Sequence, residues 1–498
     1  MNERWKRWAW PLGAAALAGL VRWPSLGLYL DRDEGEFASL AWLWRSHQGL
    51  PYRDYLEQKP PLNLLPHLLA QALAPEQGVL ALRWISLVWI LATVLALFAW
   101  MRGLAARGRL GRVLQARPAE ALAAAGAAAL VAGLLFSGRG TQAVAANAET
   151  WQTLPLLGAL ALVFLARPRA GRWLAVGLVL GLASLFKQPL LAGVLVLPWA
   201  AGEKKLLRAV AWTGLGVALA WALAGLPWAW AGGGWDLLNC TLAYNRAYVI
   251  DGQAQALSRA LGLAWHLAPE LAPVLLLALG GAWRLHRDGG RWGWLAAWAG
   301  LGLLTLAASG RYYPHYAIVL MGPLAALAGL GAQGLWRAAL SPRRRAAVVA
   351  VLAGAGLAWG LTQAPLWSAA AGAQRTWALY HVASFCTAPQ AAQRLQGLCP
   401  ADKRLFMWGD DAEIFYLSRR APATRFLFTY PFTGEAPPWP HGDVELRAGL
   451  QDPRTGAAVV VRGLSPDQPL QVDLRQGLSS GYTEVDTVPG WILGQRRP

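Results

Sequence analysis

The stretch Asp31–Leu65, DRDEGEFASLAWLWRSHQGLPYRDYLEQKPPLNLL, follows directly on the first apolar run of the chain. It opens with four carboxylates, Asp31, Asp33, Glu34 and Glu36, where a membrane helix should be meeting water. Further on, Gln58-Lys59-Pro60-Pro61 sets a lone cation on a rigid turn. Charged groups are costly near hydrocarbon, so a dense cluster at that depth points to a site. An acid able to take a proton, with a cation close by to hold an anion, is what a group transfer at a membrane surface needs.

The surrounding composition agrees with a membrane setting. Of 498 residues 56% are hydrophobic and only 14% charged, with a mean hydropathy of +0.32; soluble domains carry roughly 25% charged residues. The formal charge of +18 does not read as nucleic-acid binding. Its basic residues lie in short clusters between apolar runs, with no nucleic-acid motif beside them. Apolar runs long enough to span a bilayer fall near 8–30, 79–101, 119–136, 150–166, 209–231, 259–283, 292–308, 315–336 and 346–364. The run 173–201 is broken by Lys187-Gln188-Pro189 and flanked by basic residues at both ends, Arg167, Arg169 and Arg172 before it and Lys204, Lys205 and Arg208 after it. Two short helices that enter and return fit those flanks, which gives about eleven spans. Segments on the N-terminal side of the membrane then hold 21 Lys or Arg against 8 in the opposite loops that join the spans. By the positive-inside rule the N-terminus is cytoplasmic, and the acidic loop and C-terminal region face outward. The basic start and apolar run, followed by Arg22 and Pro24 in place of a small-residue cleavage site, predict an uncleaved signal anchor.

Within the first outer loop, 31–78, Phe37, Leu40, Ala41 and Trp44 recur at helical spacing, the pattern of an interfacial helix, and a second helix is predicted over 62–74. From about 366 the composition turns polar. Runs at Arg404–Trp408, Arg425–Tyr430 and Ala457–Arg462 read as strands, and Asp410-Asp411-Ala412-Glu413 as a helix start with capping acids. The organisation predicted is thus a transmembrane domain over 1–365 and a small outer α/β domain over 366–498. Cys240, Cys386 and Cys399 have no metal-ligand spacing. Cys386 and Cys399 are placed either to form a disulfide or to remain free thiols.

The segment Asp31–Leu65 resembles the first outer loop of polyprenyl-phosphate-dependent glycosyltransferases of the GT-C class, the bacterial relatives of protein O-mannosyltransferases and lipid A aminoarabinose transferase. Asn147-Ala148-Glu149, Lys187-Gln188-Pro189 and Arg311-Tyr312-Tyr313-Pro314-His315-Tyr316 match in order and spacing. The resemblance implies a multi-pass helical membrane fold of GT-C type with a small periplasmic α/β domain, seated in the bacterial inner membrane. It implies transfer of a sugar from a polyprenyl-phosphate carrier to a lipid, glycan or protein acceptor. The first acid of the Asp-Glu pair is the family's proposed base, which places that role on Asp33, with Glu34 and Glu36 as supports or acceptor contacts. Lys59 then stabilises the departing phosphate, and Glu149 helps line the sugar site. Lys187 and Arg311 are placed to bind phosphate, or to anchor their helix ends. His315 and Tyr312 are placed to hydrogen-bond the donor. Gln58 stands where the aminoarabinose transferase type often has an acid, and no His/Asp spacing marks a metal, so no cofactor is expected. A polysaccharide ligase or polymerase using a diphosphate-linked donor, and a lipid flippase or solute transporter, are the competing readings. Charges gathered on one face, with no inverted repeat, weigh against the transporter.

Overall fold

A computed structural model describes residues 3–167, 169, 171–433 and 439–497. The protein is an α-helical, multi-pass membrane protein with a small C-terminal sheet. Among the described residues, six helical stretches are long and apolar enough to cross a membrane: Gly78–Ala106, Pro118–Leu135, Leu206–Trp230, Gly234–Arg287, Pro314–Ala338 and Pro342–Ser368. Shorter apolar helices occupy Arg172–Ser184, Gln188–Ala200 and Gly293–Ala307. The break predicted at Lys187-Gln188-Pro189 is present. The helix Arg172–Ser184 ends, Lys187 is extended (φ −154°, ψ 121°), and a 3-10 turn over Gln188–Ala192 leads into the helix Gly193–Ala200. Pro189 suits the start of that turn, where its missing backbone donor would have had no helical partner.

The chain packs into two compact units, each assembled from separated stretches. The first holds Met1–Leu26, Arg83–Ala224 and Gln253–Ser368. Its helices approach closely because glycine faces backbone. A Cβ on Gly281 would strike the Leu327 carbonyl, one on Gly331 the Leu277 carbonyl, and one on Gly329 the backbone of Ala128. This is the small-residue packing that lets helices associate where no water is squeezed out. Arg22, a wholly buried cation at the end of the helix Glu3–Arg22, is satisfied by the loop after the helix Pro118–Leu135. Its guanidinium donates to the carbonyls of Phe136 (2.8 Å), Ala143 and Val144 (3.0 Å) and to Ser86 Oγ (2.8 Å).

The second unit holds Gly27–Leu82, Gly225–Gly252 and Ala369–Pro498. Its sheet has the order β1-β2-β4-β3, with β1 Arg404–Trp408, β2 Thr455–Val460, β3 Tyr482–Val488 and β4 Trp491–Arg496. The first two strands are parallel, and β4 runs antiparallel to both its neighbours. β1 is at its predicted bounds and β2 begins two residues before the predicted Ala457. The strand predicted at Arg425–Tyr430 does not form. The Arg425 carbonyl accepts Leu56 N (2.9 Å) and Thr429 N donates to Asp410 Oδ1 (2.8 Å), so loop and side chain take the groups that a ladder would use. The helix predicted after Asp410 is Glu413–Ser418, but neither aspartate caps it; Asp411 Oδ1 instead accepts Ser384 Oγ (2.7 Å). Both helices predicted in the first loop are present, as Arg32–Arg45 and Leu64–Leu73. Cys240, Cys386 and Cys399 are free thiols.

Gly281→Val should lower thermal stability in detergent by about 1–3 kcal/mol, the usual cost of overpacking a close contact. Gly354→Val, at a position with nothing within 4 Å, should leave the melting temperature unchanged. Equal melting of the two variants would contradict the helix packing described.

Candidate active site

The second unit carries the acidic loop. Asp31 caps the helix Arg32–Arg45: its Oδ1 accepts Glu34 N (2.9 Å), while Glu34 Oε2 accepts Asp31 N (3.2 Å), a reciprocal capping box. Tyr380 donates to the other Asp31 oxygen (2.8 Å). The helix is pinned along its length to the helix Glu413–Ser418. Ser39 Oγ donates to the Ala412 carbonyl (2.6 Å) and accepts Tyr416 N (3.1 Å). Gly35 permits this approach, because a Cβ there would come within 2.6 Å of Glu413 N. With its start capped and its flank docked, this helix holds Asp33 and Glu36 on one side.

Lys59 comes to that side. Its Nζ lies 3.3 Å from Asp33 Oδ1 and 3.1 Å from Glu36 Oε2, and 5.0 Å from the centre of the Phe37 ring. The backbone behind it is fixed from both directions. Lys59 N donates to Glu57 Oε1 (2.6 Å), and the Lys59 carbonyl accepts Tyr52 OH (2.8 Å). Pro60 is extended (φ −66°, ψ 160°) and Pro61 begins a short 3-10 turn, so the lysine stem leaves a stiff stretch of chain. The Asp33 side chain is 25% exposed and that of Glu36 only 4%. Asp33 is therefore the carboxylate a reactant can reach.

Three carboxylates around one ammonium cannot all stay ionised in a mostly buried place. Burial pushes Glu36 well above the ordinary range and the Glu57 charge adds to it, against the pull of Lys59. Glu57 is raised by burial too, with Lys59 opposing. The two carboxyl groups hydrogen-bond one another. Glu36 Oε1 and Glu57 Oε2 are both buried without another partner, so one proton shared between them satisfies both. Lys59 loses some of its preference for charge to burial, but the three neighbouring carboxyl groups outweigh that and hold its pKa well above the ordinary value.

The first unit carries a second polar cluster. Glu149 sits in the first turn of the helix Ala148–Phe164 and is buried. Lys187 Nζ forms an ion pair with Glu149 Oε1 and lies 3.2 Å from the centre of the Tyr316 ring. His315 packs edge-on against Tyr316 (4.9 Å) and its Nδ1 lies 3.3 Å from Gln142 Oε1. Arg311 is buried at the start of the same turn. Tyr312 lines an apolar cavity of about 560 Å³ together with Ala317, Leu263, Leu267, Leu320 and Leu324. That cavity begins at the turn carrying His315 and Tyr316, and it is walled by the helices Ala256–Arg287, Gly293–Ala307 and Ile318–Ala338.

The structure brings Asp33, Glu36 and Lys59 together in the second unit, and Glu149, Lys187 and His315 around Tyr316 in the first. Glu34 is drawn into the helix cap. Sequence reading does not foresee that Glu57 pairs with Glu36 or that Tyr52 holds the Lys59 backbone. The signal for Glu57 is an acid two residues before the Lys-Pro-Pro turn, close enough to reach that lysine's backbone. Among the described residues, no group of three or more His, Cys, Asp or Glu is arranged around a metal position.

The capping acid gives a pH test. Burial, with the charges of Glu34 and Asp33, raises the Asp31 pKa from 3.8 to about 8. The folded state holds a proton there that the unfolded chain releases, so this group's contribution is complete below about pH 4 and is lost as the pH rises through about 8. Asp31→Asn keeps a capping oxygen and cannot titrate. The fall in melting temperature between about pH 6 and about pH 9 should be shallower in the variant, by up to about 1.4 kcal/mol per pH unit. Parallel profiles would contradict the assignment.

No family model matches the sequence, and no curated protein matches it. Solved structures do. ArnT from Cupriavidus metallidurans bound to undecaprenyl phosphate aligns with a TM-score of 0.59 at 15% identity, over 98% of this chain and 98% of that one. The archaeal oligosaccharyltransferase AglB from Archaeoglobus fulgidus, in complex with an inhibitory peptide and a dolichol-phosphate, gives 0.59 at 12% identity, over 99% of this chain and 75% of that one. ArnT in the apo state gives 0.56 at 16% identity, over 98% and 97%. The fold of this chain is the GT-C fold that its first outer loop resembles.

Proposed function

We propose that the protein is an inverting membrane glycosyltransferase. It moves a sugar from a polyprenyl-phosphate carrier to a lipid, glycan or protein acceptor, at the periplasmic face of a bacterial inner membrane, with its N-terminus cytoplasmic. The observation that carries this reading is the pairing of Asp33 Oδ1 with Lys59 Nζ at 3.3 Å, at the partly open side of an otherwise buried cluster. A sugar or lipid hydroxyl is a poor nucleophile. Asp33 takes its proton as the oxygen attacks the anomeric carbon, the bond from that carbon to the phosphate oxygen breaks on the opposite side, and the electron pair leaves with the polyprenyl phosphate. One displacement inverts the anomeric centre.

Lys59 answers the charge that grows on the leaving phosphate. A fixed ammonium in a poorly solvated place is worth most where charge develops. While Lys59 pairs with Asp33 it restrains that carboxylate as a base. A phosphate that engages the ammonium releases it, so donor binding and base activation are linked. Glu36 and Glu57 keep Lys59 in place throughout, and Glu34 acts through the helix cap. In the first unit, the apolar cavity suits an isoprenoid chain, and Glu149, Lys187, Arg311, His315 and Tyr312 are assigned to substrate binding. Two solved structures of this fold were determined with undecaprenyl phosphate and with a dolichol-phosphate, which supports a carrier of that class.

Purified protein given an undecaprenyl-phosphate sugar should release undecaprenyl phosphate. Asp33→Asn should slow release by about 10²–10⁴-fold and Lys59→Gln by about 10²–10³-fold, each measured on protein that still shows a cooperative melting transition. Turnover by Asp33→Asn at the parent rate would remove that residue as the base. Because the positive charge is supplied by Lys59 and Gln58 replaces an acid, chelation with EDTA should leave the rate unaltered; loss of activity restored by a divalent ion would refute a metal-free reaction.

A further inference from the structure

The two basic clusters that flank the broken run 173–201 are not used by the proposed reaction. Three-dimensionally they come together. Arg169 and Arg172, at the start of the helix Arg172–Ser184, and Lys205 and Arg208, at the start of Leu206–Trp230, line one cavity of about 210 Å³ with Trp173, Glu203 and Trp212. Only one carboxylate lies among these four cations, and it is already engaged. Glu203 Oε2 accepts Arg172 Nη2 (3.0 Å) and Trp173 Nε1 (3.1 Å), and the Arg172 guanidinium lies 4.7 Å from the centre of the Trp173 ring. Arg172 is therefore held in place, whereas no carboxylate pairs with Arg169, Lys205 or Arg208 among the described residues. Like charges converging on a hollow repel one another unless an anion sits between them.

We propose that this cavity binds the phosphate-bearing headgroup of an anionic phospholipid. The lipid source is favoured over free phosphate by the surroundings. Leu207 is 86% exposed and Trp212 42% exposed beside the cations, an apolar skirt at the end of two membrane helices where acyl chains begin. Aromatic and basic side chains of this kind mark the headgroup level. The cavity stands at the opposite end of the helix Arg172–Ser184 from Lys187, roughly 20 Å away at the helical rise per residue. A bound headgroup would tie the starts of the helices Arg172–Ser184 and Leu206–Trp230 together at the end remote from that lysine. This inference does not depend on the proposed reaction.

Native mass spectrometry of the full chain, titrated with phosphatidylglycerol and with phosphatidylcholine, tests it. The parent protein should retain phosphatidylglycerol selectively. Lys205→Gln/Arg208→Gln should weaken that retention by about thirtyfold, and Arg208→Gln alone by about fivefold, with phosphatidylcholine retention unchanged. The single variant keeps the test open should the double variant fail to fold. Equal retention of the two lipids by the parent, or equal phosphatidylglycerol retention by parent and variants, would overturn the proposal. A third arm titrates inorganic phosphate against the parent's melting temperature. Stabilisation by phosphate at concentrations as low as those of the lipid would assign the cavity to a soluble anion and reject the lipid.

Discussion

A single ammonium group organises the second unit. Lys59 is held between Asp33 and Glu36 by ion pairs of 3.3 and 3.1 Å. An isolated charge removed from water costs several kcal/mol, and an ion pair repays that only when its geometry is well supported. The support here is extensive. Glu57 and Tyr52 hold the lysine's own backbone, Pro60 and Pro61 stiffen the chain beyond it, and a capped helix presents the two acids. Displacing any of these leaves a buried charge without its counterpart, so the acidic loop behaves as one cooperative element.

The helix that bears the acids is itself placed by close packing. Gly35 seats it on Glu413, a buried carboxyl group that burial, with the nearby Asp411 charge, pushes well above the ordinary range. A neutral Glu413 is the form that such a seat tolerates. The protein thus sets the partly exposed Asp33 beside an ammonium and keeps a neutral acid beneath the helix. Environment rather than residue type decides which carboxylate is available for chemistry.

Much of this is readable from residues alone. Charge density at the end of an apolar run singles out the acidic loop, and proline chemistry at 60–61 and 189 marks the turns that present Lys59 and Lys187. Those signals are local, and local physics sets them. The hidden part depends on partners distant in sequence or on bonds that composition does not reveal. Glu34 reads as a support or acceptor contact, and only its reciprocal bond with the Asp31 backbone reveals the cap it completes. Asp410 and Asp411 look like caps and serve Thr429 and Ser384 instead. The run at Arg425–Tyr430 has strand composition, but its hydrogen-bonding groups are taken elsewhere. β3 carries four exposed residues among its seven and offers no apolar alternation to read.

The proton shared by Glu36 and Glu57 has an electrical consequence. A lone carboxylate beside Lys59 would gain or lose a full charge over a narrow range of acidity. A coupled pair surrenders its protons in two widely separated steps, and between those steps its net charge stays constant. The ammonium consequently experiences a steady field between those two steps.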